Sequence, residues 1–300
     1  MKAVIIAKYG GNEVVEVSEV PQPVPGPSDV LIRVHAASIN PVDWKIRSGS
    51  LRLITGMRFP KKLGGECAGE VVETGGRVVK VRTGDLVIGL PGMKRMGAFA
   101  EYACADEKAT FPKPKNISFG QAASIPVAGL TALQALRDRG NIAAGMRVFV
   151  NGAAGGVGHF AVQIAKIFDA HVTAVCSAGN AEMVRSLGVD RVIDYAVTDF
   201  TQSDDRYDII FDAVAKSSFG KCASILTPKG VYIRTLPALS IIVNGLLGVL
   251  SNGKRARSIW VRPNQADMEW MKTQIESGRL RIVIDKTYSL DQAKEALAYS

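Results

Sequence analysis

The sequence predicts an α/β protein in which a β-barrel domain is followed by a doubly wound parallel sheet. Three observations support this fold class. The chain has 300 residues, which is more than one small domain needs. Residues 1–120 contain many short apolar runs separated by Gly, Pro and polar turns, a pattern typical of a partly open barrel. From Arg147 onward, predicted strands alternate with predicted helices, as they do in βαβ units.

The first part of the chain predicts strands until about residue 111. Its N-terminal apolar run lacks the hydrophobic region and cleavage site of a signal peptide, so we expect a first strand there. Further strands are predicted at 14–20, 30–36, 67–74, 78–81, 86–90, 99–104 and 110–111, with a polyproline-like connector at 21–27. A helix is predicted over 118–139, where Ser118 as N-cap and Gln121 three residues later form a capping box.

The second part of the chain predicts a parallel sheet covered by helices. We expect strands at 148–151, 171–176, 191–194, 208–213 and 231–235, and helices at 157–168, 180–187 and 217–226. A helix at 265–277, a strand at 281–284 and a helix at 290–298 follow, and we expect this last part to return to the first domain. The predicted domains are therefore 1–122 with 266–300, and 123–265.

A glycine-rich turn joins the first predicted strand of this sheet to the helix that follows it. Such a turn lets backbone N–H groups and a helix N-terminus face a pyrophosphate, so dinucleotide binding is favoured over a purely structural turn. Aligned with G-x-G-x-x-G, the chain has Ala153 at the first glycine position, Gly155 where the backbone approaches the phosphates, and Gly158 where the helix packs on the strand. The predicted cofactor contacts here are Ala154, Gly155, Gly156 and Val157.

Net charge and cysteine content limit the other functions and locations that the chain could have. The net charge is +9, but basic residues are spread along the chain, and their densest cluster, at 254–262, carries no RNA-binding fingerprint. We therefore expect no nucleic-acid partner.

The four cysteines are far apart without a C-x-x-C pair, which favours a reducing, cytoplasmic location. The apolar segment 236–250 is too short to span a membrane, so we expect an interface or cleft segment, with membrane-surface contact as the alternative.

Several ordered motifs resemble the medium-chain dehydrogenase/reductase superfamily, in its zinc-free quinone oxidoreductase branch. The matching blocks are NPVDWKIRSG (40–49), GGECAGEVVETG (64–75), VRTGDLVIG (81–89), GAFAEYA (97–103), AASIPVAGLTALQAL (122–136), NGAAGGVGHFAVQIAK (151–166), RSLGVDRVIDY (185–195) and YDIIFDAV (207–214). The resemblance implies a GroES-like catalytic domain, a Rossmann domain and NADPH in the cleft between them. It also implies a homodimer that reduces small quinones or α,β-unsaturated carbonyl compounds.

The resemblance also bears on metal. Zinc-dependent members carry Cys and His where this chain has Asn40 and Gly65. A catalytic zinc needs three protein ligands, and no recognisable spacing supplies them here, so we expect no metal.

The residues after the second strand of the parallel sheet favour NADPH. NAD enzymes place Asp or Glu there, whereas this chain has Ser177 and Asn180, which accommodate a 2′-phosphate without repelling it. The resemblance places Tyr195 near the adenosine ribose or its phosphate, and Thr131 near the phosphates and nicotinamide ribose. Val214 and Thr235 end the fourth and fifth strands, where a ligand binds such sheets. The alternatives are that Ser177 is an ordinary N-cap, Tyr195 a packed aromatic, and Thr131 a hydroxyl bonded to its own turn.

Asn40 and Lys45 are the predicted catalytic residues. Hydride transfer to an enone develops negative charge on its carbonyl oxygen, which donors stabilise. The resemblance places Asn40 beside the nicotinamide, and Lys45 is positioned to stabilise an enolate. The alternative for Lys45 is a solvated helix-start pair with Asp43.

Two further expectations concern the chain end and other roles. Relatives continue with a strand after the last helix, so an edge of the first domain is expected to lack a strand. The competing functions are an RNA-binding or crystallin-like role of a nucleotide-binding protein, and a membrane-surface reductase of lipid-derived enones.

Overall fold

The computed structural model describes residues 1–235 and 253–300, so the apolar segment 236–250 lies outside the described residues. By their internal contacts these residues form two units. The first comprises Met1–Val127, Pro263–Lys272 and Val283–Ser300, and the second comprises Ala128–Arg262 and Thr273–Ile282. The domain limits given by the sequence stay a prediction. In packing, residues 273–282 lie with the second unit, where Gln163 Nε2 donates to the Arg281 carbonyl at 2.9 Å.

The first unit holds two antiparallel sheets. Their strands are β1 (Lys2–Ile6), β2 (Val15–Glu19), β3 (Asp29–Ala37), β4 (Lys61–Lys62), β5 (Cys67–Thr74), β6 (Leu86–Gly89), β7 (Tyr102–Asp106) and β8 (Thr110–Pro112). The orders are β2-β1-β4 and β7-β3-β5-β6-β8. Apolar side chains of β3 and β5 such as Val30, Ile32 and Val71 belong to one buried cluster. This arrangement is the GroES-like domain that the resemblance implies.

Short helices connect these strands, and the sequence motifs explain where they begin. They are α1 (Pro41–Arg47), α2 (Arg52–Thr55), α3 (Gly92–Arg95) and α4 (Phe119–Ala123). The predicted capping box is present at α4, where the Ser118 hydroxyl accepts from Gln121 N at 3.2 Å and Gln121 Oε1 accepts from Ser118 N at 3.0 Å. The helical path then continues through two π turns, at 125–129 and 135–139, on either side of α5 (Leu130–Gln134).

The second unit is a six-stranded parallel sheet with order β11-β10-β9-β12-β13-β14. Its strands are β9 (Arg147–Asn151), β10 (His171–Cys176), β11 (Arg191–Asp194), β12 (Tyr207–Asp212), β13 (Leu226–Arg234) and β14 (Arg255–Ser258). Its helices are α6 (Gly156–Ile167), α7 (Ala181–Arg185) and α8 (Phe219–Cys222). The next helix, α9 (Gln265–Glu276), belongs to the first unit up to Lys272 and to the second unit from Thr273, and α10 (Ala293–Tyr299) belongs to the first unit. The order places β9 in the middle of a doubly wound sheet, which confirms the predicted fold class.

Two predicted strands are wrong. Residues 281–284 form no strand, because the Gln163 side chain takes up both backbone polar groups of Arg281: Oε1 accepts from Arg281 N at 2.8 Å, and Nε2 donates to the Arg281 carbonyl. Residues 78–81 form no strand either, since Glu107 Oε1 accepts from the backbone N–H groups of Val79 and Lys80. In both places a side chain distant in sequence forms the backbone hydrogen bonds that a neighbouring strand would make if the alternating pattern were a strand.

The observed element boundaries also differ from the predicted ones in the crossover between β12 and β13. The predicted helix 217–226 is only one α-helical turn, α8, followed by a 3-10 turn at 223–225, and β13 begins at Leu226 rather than at 231. In residues 1–235 and 253–300, no helix is both long and apolar enough to cross a membrane.

Candidate nucleotide-binding and catalytic residues

The glycine-rich turn begins with a residue that must be glycine. Gly152 has φ +80, and a Cβ there would lie 2.4 Å from Cγ1 of Val214. The left-handed residue is therefore Gly152, one position before Ala153, whose own side chain is fully buried. Gly155 N donates to the Gly152 carbonyl at 3.1 Å, and this bond closes the turn.

The helix after the turn packs very closely on it. A Cβ on Gly158 would lie 2.0 Å from the Gly152 carbonyl oxygen, so only glycine allows α6 to approach the end of β9 this closely. Gly155 is the N-cap of α6 in extended conformation, and it is exposed together with Gly156. The first N–H groups of the helix are thus presented to solvent, and Ala154 and Val157 flank them, half-buried. This geometry fits a phosphate.

A buried polar network supports the ends of three neighbouring strands. Asp212, which is 1% exposed, accepts from Asn151 Nδ2 at 2.9 Å, from the Tyr232 hydroxyl at 2.8 Å and from Ser217 N at 2.8 Å. Because three donors face one buried carboxylate, the ends of β9, β12 and β13 are fixed relative to one another. Sequence reasoning did not single out Asp212, although it is the next-to-last residue of the strand predicted at 208–213.

A cavity of about 1050 Å³ opens at these strand ends. It is lined by Gly152 of the turn and by two predicted cofactor residues, Tyr195 after β11 and Val214 after β12. Tyr195 is 61% exposed, so the alternative that it is a packed aromatic is wrong. The structure therefore brings two of the predicted contacts together with the turn.

Four further predicted cofactor residues, Ser177, Asn180, Thr235 and Thr131, lie elsewhere in the same unit, and Asn40 lies in the first unit. Ser177 is half-buried, and its hydroxyl accepts from Asn180 Nδ2 at 3.2 Å, while it caps no helix through its side chain. Thr235 donates to the Ala213 carbonyl at 3.2 Å. Thr131 is buried on α5, and in the described residues its hydroxyl makes no bond to its own turn. Their roles stay predictions.

In the first unit, Asn40 is held by a buried acid that the sequence analysis did not assign. Asn40 Nδ2 donates to Glu66 Oε1 at 2.6 Å and to the Ser38 hydroxyl at 3.1 Å. The Ser38 hydroxyl also donates to Glu66 Oε1, and Val127 N donates to Glu66 Oε2 at 2.7 Å. Glu66 is fully buried, and in the sequence it stands between a glycine pair and the start of β5. A charged residue in the otherwise small and apolar run GGECAG was the available signal.

A second buried acid, Asp43, lies at the start of the same helix. Its Oδ2 accepts from Asn40 N at 2.8 Å, while its Oδ1 has no hydrogen-bond partner among the described residues. Burial raises the pKa of Asp43 to about 7, and nearby Glu66 adds to the rise. Burial likewise raises the pKa of Glu66 to about 7, against the effect of its three hydrogen-bond donors. The alternative that Asp43 belongs to a solvated pair is wrong, because its side chain is fully buried.

Lys45 lies on the half-buried side of α1, beside an aromatic ring. Its Nζ is 5.2 Å from the centroid of the Trp44 ring, which is within the range of a cation–π contact. In residues 1–235 and 253–300, no three His, Cys, Asp or Glu side chains are grouped as a metal site requires.

Comparison with known proteins adds independent information. Residues 26–115 match the family model described as alcohol dehydrogenase GroES-like domain, and residues 187–300 match the one described as zinc-binding dehydrogenase. The chloroplast envelope quinone oxidoreductase homolog of Arabidopsis thaliana is 35% identical, with 100% of this chain and 94% of that protein covered. The 2-methylene-furan-3-one reductase of Solanum lycopersicum is 34% identical, with 100% and 76% covered.

A solved structure is similar over the whole chain. The quinone oxidoreductase from Coxiella burnetii superposes with a TM-score of 0.91 at 31% sequence identity, covering 100% of this chain and 95% of that one. The similarity therefore includes both units and the connection of their elements.

Proposed function

We propose that this chain, which belongs to the medium-chain dehydrogenase/reductase superfamily, uses NADPH without zinc to reduce quinones or α,β-unsaturated carbonyl compounds. That the chain is an oxidoreductase with a nicotinamide cofactor follows from its end-to-end similarity to quinone oxidoreductase homologues and enone reductases. This similarity is the observation that carries the proposal. The proposal goes further than this similarity in three respects: the choice of NADPH over NADH, the independence from zinc, and the substrate class.

The residues of the second unit fit a dinucleotide. Gly152 and Gly158 leave space for a backbone cradle that a Cβ would fill, and the exposed N-terminus of α6 offers N–H donors to a pyrophosphate. When bound, the nicotinamide would supply the hydride. The segment after β10 carries Ser177 and Asn180 with no carboxylate, which supports NADPH over NADH.

Asn40 is the residue we propose to orient the reacting groups. Its side-chain amide is fixed by Glu66 and Ser38, so it is held in one orientation before any ligand binds. Such a fixed dipole costs no reorganisation during the reaction. Lys45 places a positive charge on the same helix, and we propose that it stabilises the enolate oxygen that forms when a hydride reaches the β-carbon.

The chemistry of the first unit supports independence from zinc. An amide stands at position 40, and position 65 has no side chain, where zinc-dependent members have Cys and His. The neighbouring Cys67 is buried, donates through Sγ to the Gly89 carbonyl at 3.6 Å, and has its pKa raised to about 12 by burial. Because zinc binds the thiolate, this thiol is a poor ligand.

Location and assembly are further proposals. We propose a cytoplasmic homodimer that binds no nucleic acid. All four cysteines are free, and three of them are buried, which supports a reducing compartment.

The proposal is tested by following NADPH oxidation at 340 nm with a 1,4-quinone and an alkyl enone, with and without a chelator. We expect turnover of at least one substrate class at a rate that the chelator leaves unchanged. A chelator-sensitive rate would contradict independence from zinc, and turnover of neither class would contradict the substrate assignment. Salt-sensitive RNA binding without turnover would favour the competing binding role.

A further inference from the structure

The cavity at the strand ends contains cations that the sequence analysis did not assign. Besides Gly152 and Tyr195, its lining includes Lys216, Lys221 and Arg206. It extends from the end of β9, where the glycine turn begins, to the residue after β11, and β10 lies between these two strands. In doubly wound sheets, the ribose hydroxyls of a dinucleotide are bound beyond the end of this middle strand. The cavity borders this position from the ends of β9 and β11, although no residue directly after β10 lines it and its lysines follow β12.

Two of the three cations are already engaged or partly neutralised. Arg206 donates through one guanidinium nitrogen to the carbonyls of Ser203, Asp204 and Asp205, at 3.3, 2.7 and 3.0 Å. Lys221 shares the cavity with Asp199, whose pKa is lowered mainly by the Thr201 hydroxyl and N–H and further by the charge of Lys221.

The ammonium groups of Lys216 and Lys221 both make no hydrogen bond or ion pair with any residue in the described ranges. Lys221 nevertheless acts on the carboxylate of Asp199, whereas Lys216 acts on no such acid in those ranges. The Tyr195 hydroxyl, in the same cavity, is equally unengaged within those ranges. The cavity thus contains one cation, Lys216, that neither bonds nor faces a described acid, and one hydroxyl, that of Tyr195, that makes no hydrogen bond with the described residues.

The backbone that carries Lys216 is nevertheless fixed on both sides. Asp212 accepts from Ser217 N at 2.8 Å, which closes the loop across Lys216. Ala215 adopts a left-handed conformation with φ +54, and its carbonyl accepts from Arg234 at 3.2 Å. A non-glycine residue in this conformation costs energy that the surrounding bonds must offset. The loop is therefore held in a defined conformation while the Lys216 side chain remains available.

We propose that Lys216 binds the 2′-phosphate of NADPH and thereby selects NADPH over NADH, an inference that rests on the proposed function. The residues after β10 supply hydroxyl and amide groups but no cation: Ser177 is followed by Ala178, Gly179 and Asn180. Lys216 supplies the missing positive charge from the loop after β12. A lysine ammonium is a common phosphate ligand, and its contact with a dianionic phosphate is charge-assisted.

The test measures dissociation constants for NADP⁺ and NAD⁺ by isothermal titration calorimetry. We expect Lys216→Ala to weaken NADP⁺ by about tenfold or more and to change NAD⁺ by less than about twofold, since a charge-assisted bond to the 2′-phosphate is lost. Lys221→Ala is the matched control, because it removes the same charge from the same cavity. We expect it to weaken NADP⁺ by no more than about threefold.

Three outcomes would overturn the inference. Equal weakening of NADP⁺ and NAD⁺ by Lys216→Ala would place Lys216 at the pyrophosphate. Equal effects of Lys216→Ala and Lys221→Ala would indicate the general field of the cavity rather than a contact. Unchanged dissociation constants for both dinucleotides in Lys216→Ala would show that Lys216 contacts neither. A wild-type chain that binds neither dinucleotide would instead refute the proposed function, so the two failures are distinguishable.

Discussion

Replacing Glu66 with glutamine is expected to flatten the pH dependence of the stability of this protein. Burial raises the pKa of Glu66 from the usual 4.5 to about 7. Between these values the folded chain holds a proton that the unfolded chain releases. The free energy of unfolding therefore falls as the pH rises through this window. The stabilising contribution is fully present below pH 4.5 and is lost above about pH 7.

The magnitude follows from the size of that pKa change. One pKa unit corresponds to about 1.4 kcal/mol, so the carboxyl contributes a loss of about 2–3 kcal/mol between pH 5 and pH 8. Glutamine keeps the shape but cannot ionise. It also turns one N–H group toward the donors of Asn40 and Ser38 or toward Val127 N, since all three donate to Glu66. This mismatch costs about 1–3 kcal/mol at every pH.

The assay is urea denaturation of wild type and Glu66→Gln at a series of pH values from 5 to 8. We expect the variant to be less stable at pH 5, and the gap to narrow by about 2–3 kcal/mol toward pH 8. Glu73→Gln, at an exposed position of β5, is the control and should follow the wild type. Parallel curves for wild type and Glu66→Gln would refute the reasoning, because they would mean that Glu66 is ionised throughout.

Three further changes test the turn, the buried network and the proposed catalytic amide. Gly158→Ala places a Cβ 2.0 Å from the Gly152 carbonyl oxygen, whereas the control Gly179→Ala places one in open space. We expect the thermal unfolding temperature of Gly158→Ala to lie well below that of Gly179→Ala. Equal unfolding temperatures would contradict the close packing of α6 on the turn. Asp212→Ala leaves three buried donors unpaired and should cost about 2–4 kcal/mol in urea denaturation, and a loss below about 1 kcal/mol would contradict the network. Asn40→Ala should lower kcat by about tenfold or more while the Kd for NADP⁺ changes by less than about threefold, and a loss confined to Kd would contradict its proposed role.

The parts of the fold that local sequence determines could be predicted. The helix predicted at 157–168 is Gly156–Ile167, because a glycine turn followed by an amphipathic run fixes both its start and its buried face. Five of the six strands of the parallel sheet could be predicted, since they are continuous apolar runs bounded by turn residues; β14 was missed, because its sequence RARS has no apolar run. By contrast, the alternation at 281–284 carries the local signal of a strand, but Gln163, 118 residues away, bonds its backbone instead.

The candidate site likewise combines features that the local sequence predicts with contacts between distant residues that it does not predict. The glycines of the turn are contiguous, so their geometry could be inferred from spacing alone. The contact between Asn40 and Glu66 joins residues 26 positions apart, and it forms because β3 pairs with β5. Lys216 likewise faces the same cavity as Tyr195 only because β12 and β11 belong to one sheet. Side chains that meet through strand order leave no periodic signal in the sequence.

The central claim is that this chain is an NADPH-dependent reductase of quinones or enones, and steady-state kinetics with both nicotinamide cofactors tests it most directly. Initial rates are measured with NADPH and with NADH against a fixed quinone and a fixed alkyl enone. We expect a kcat/KM for NADPH at least about tenfold above that for NADH with a substrate of at least one class. Equal values, a preference for NADH, or no oxidation of either cofactor with both substrate classes would contradict it.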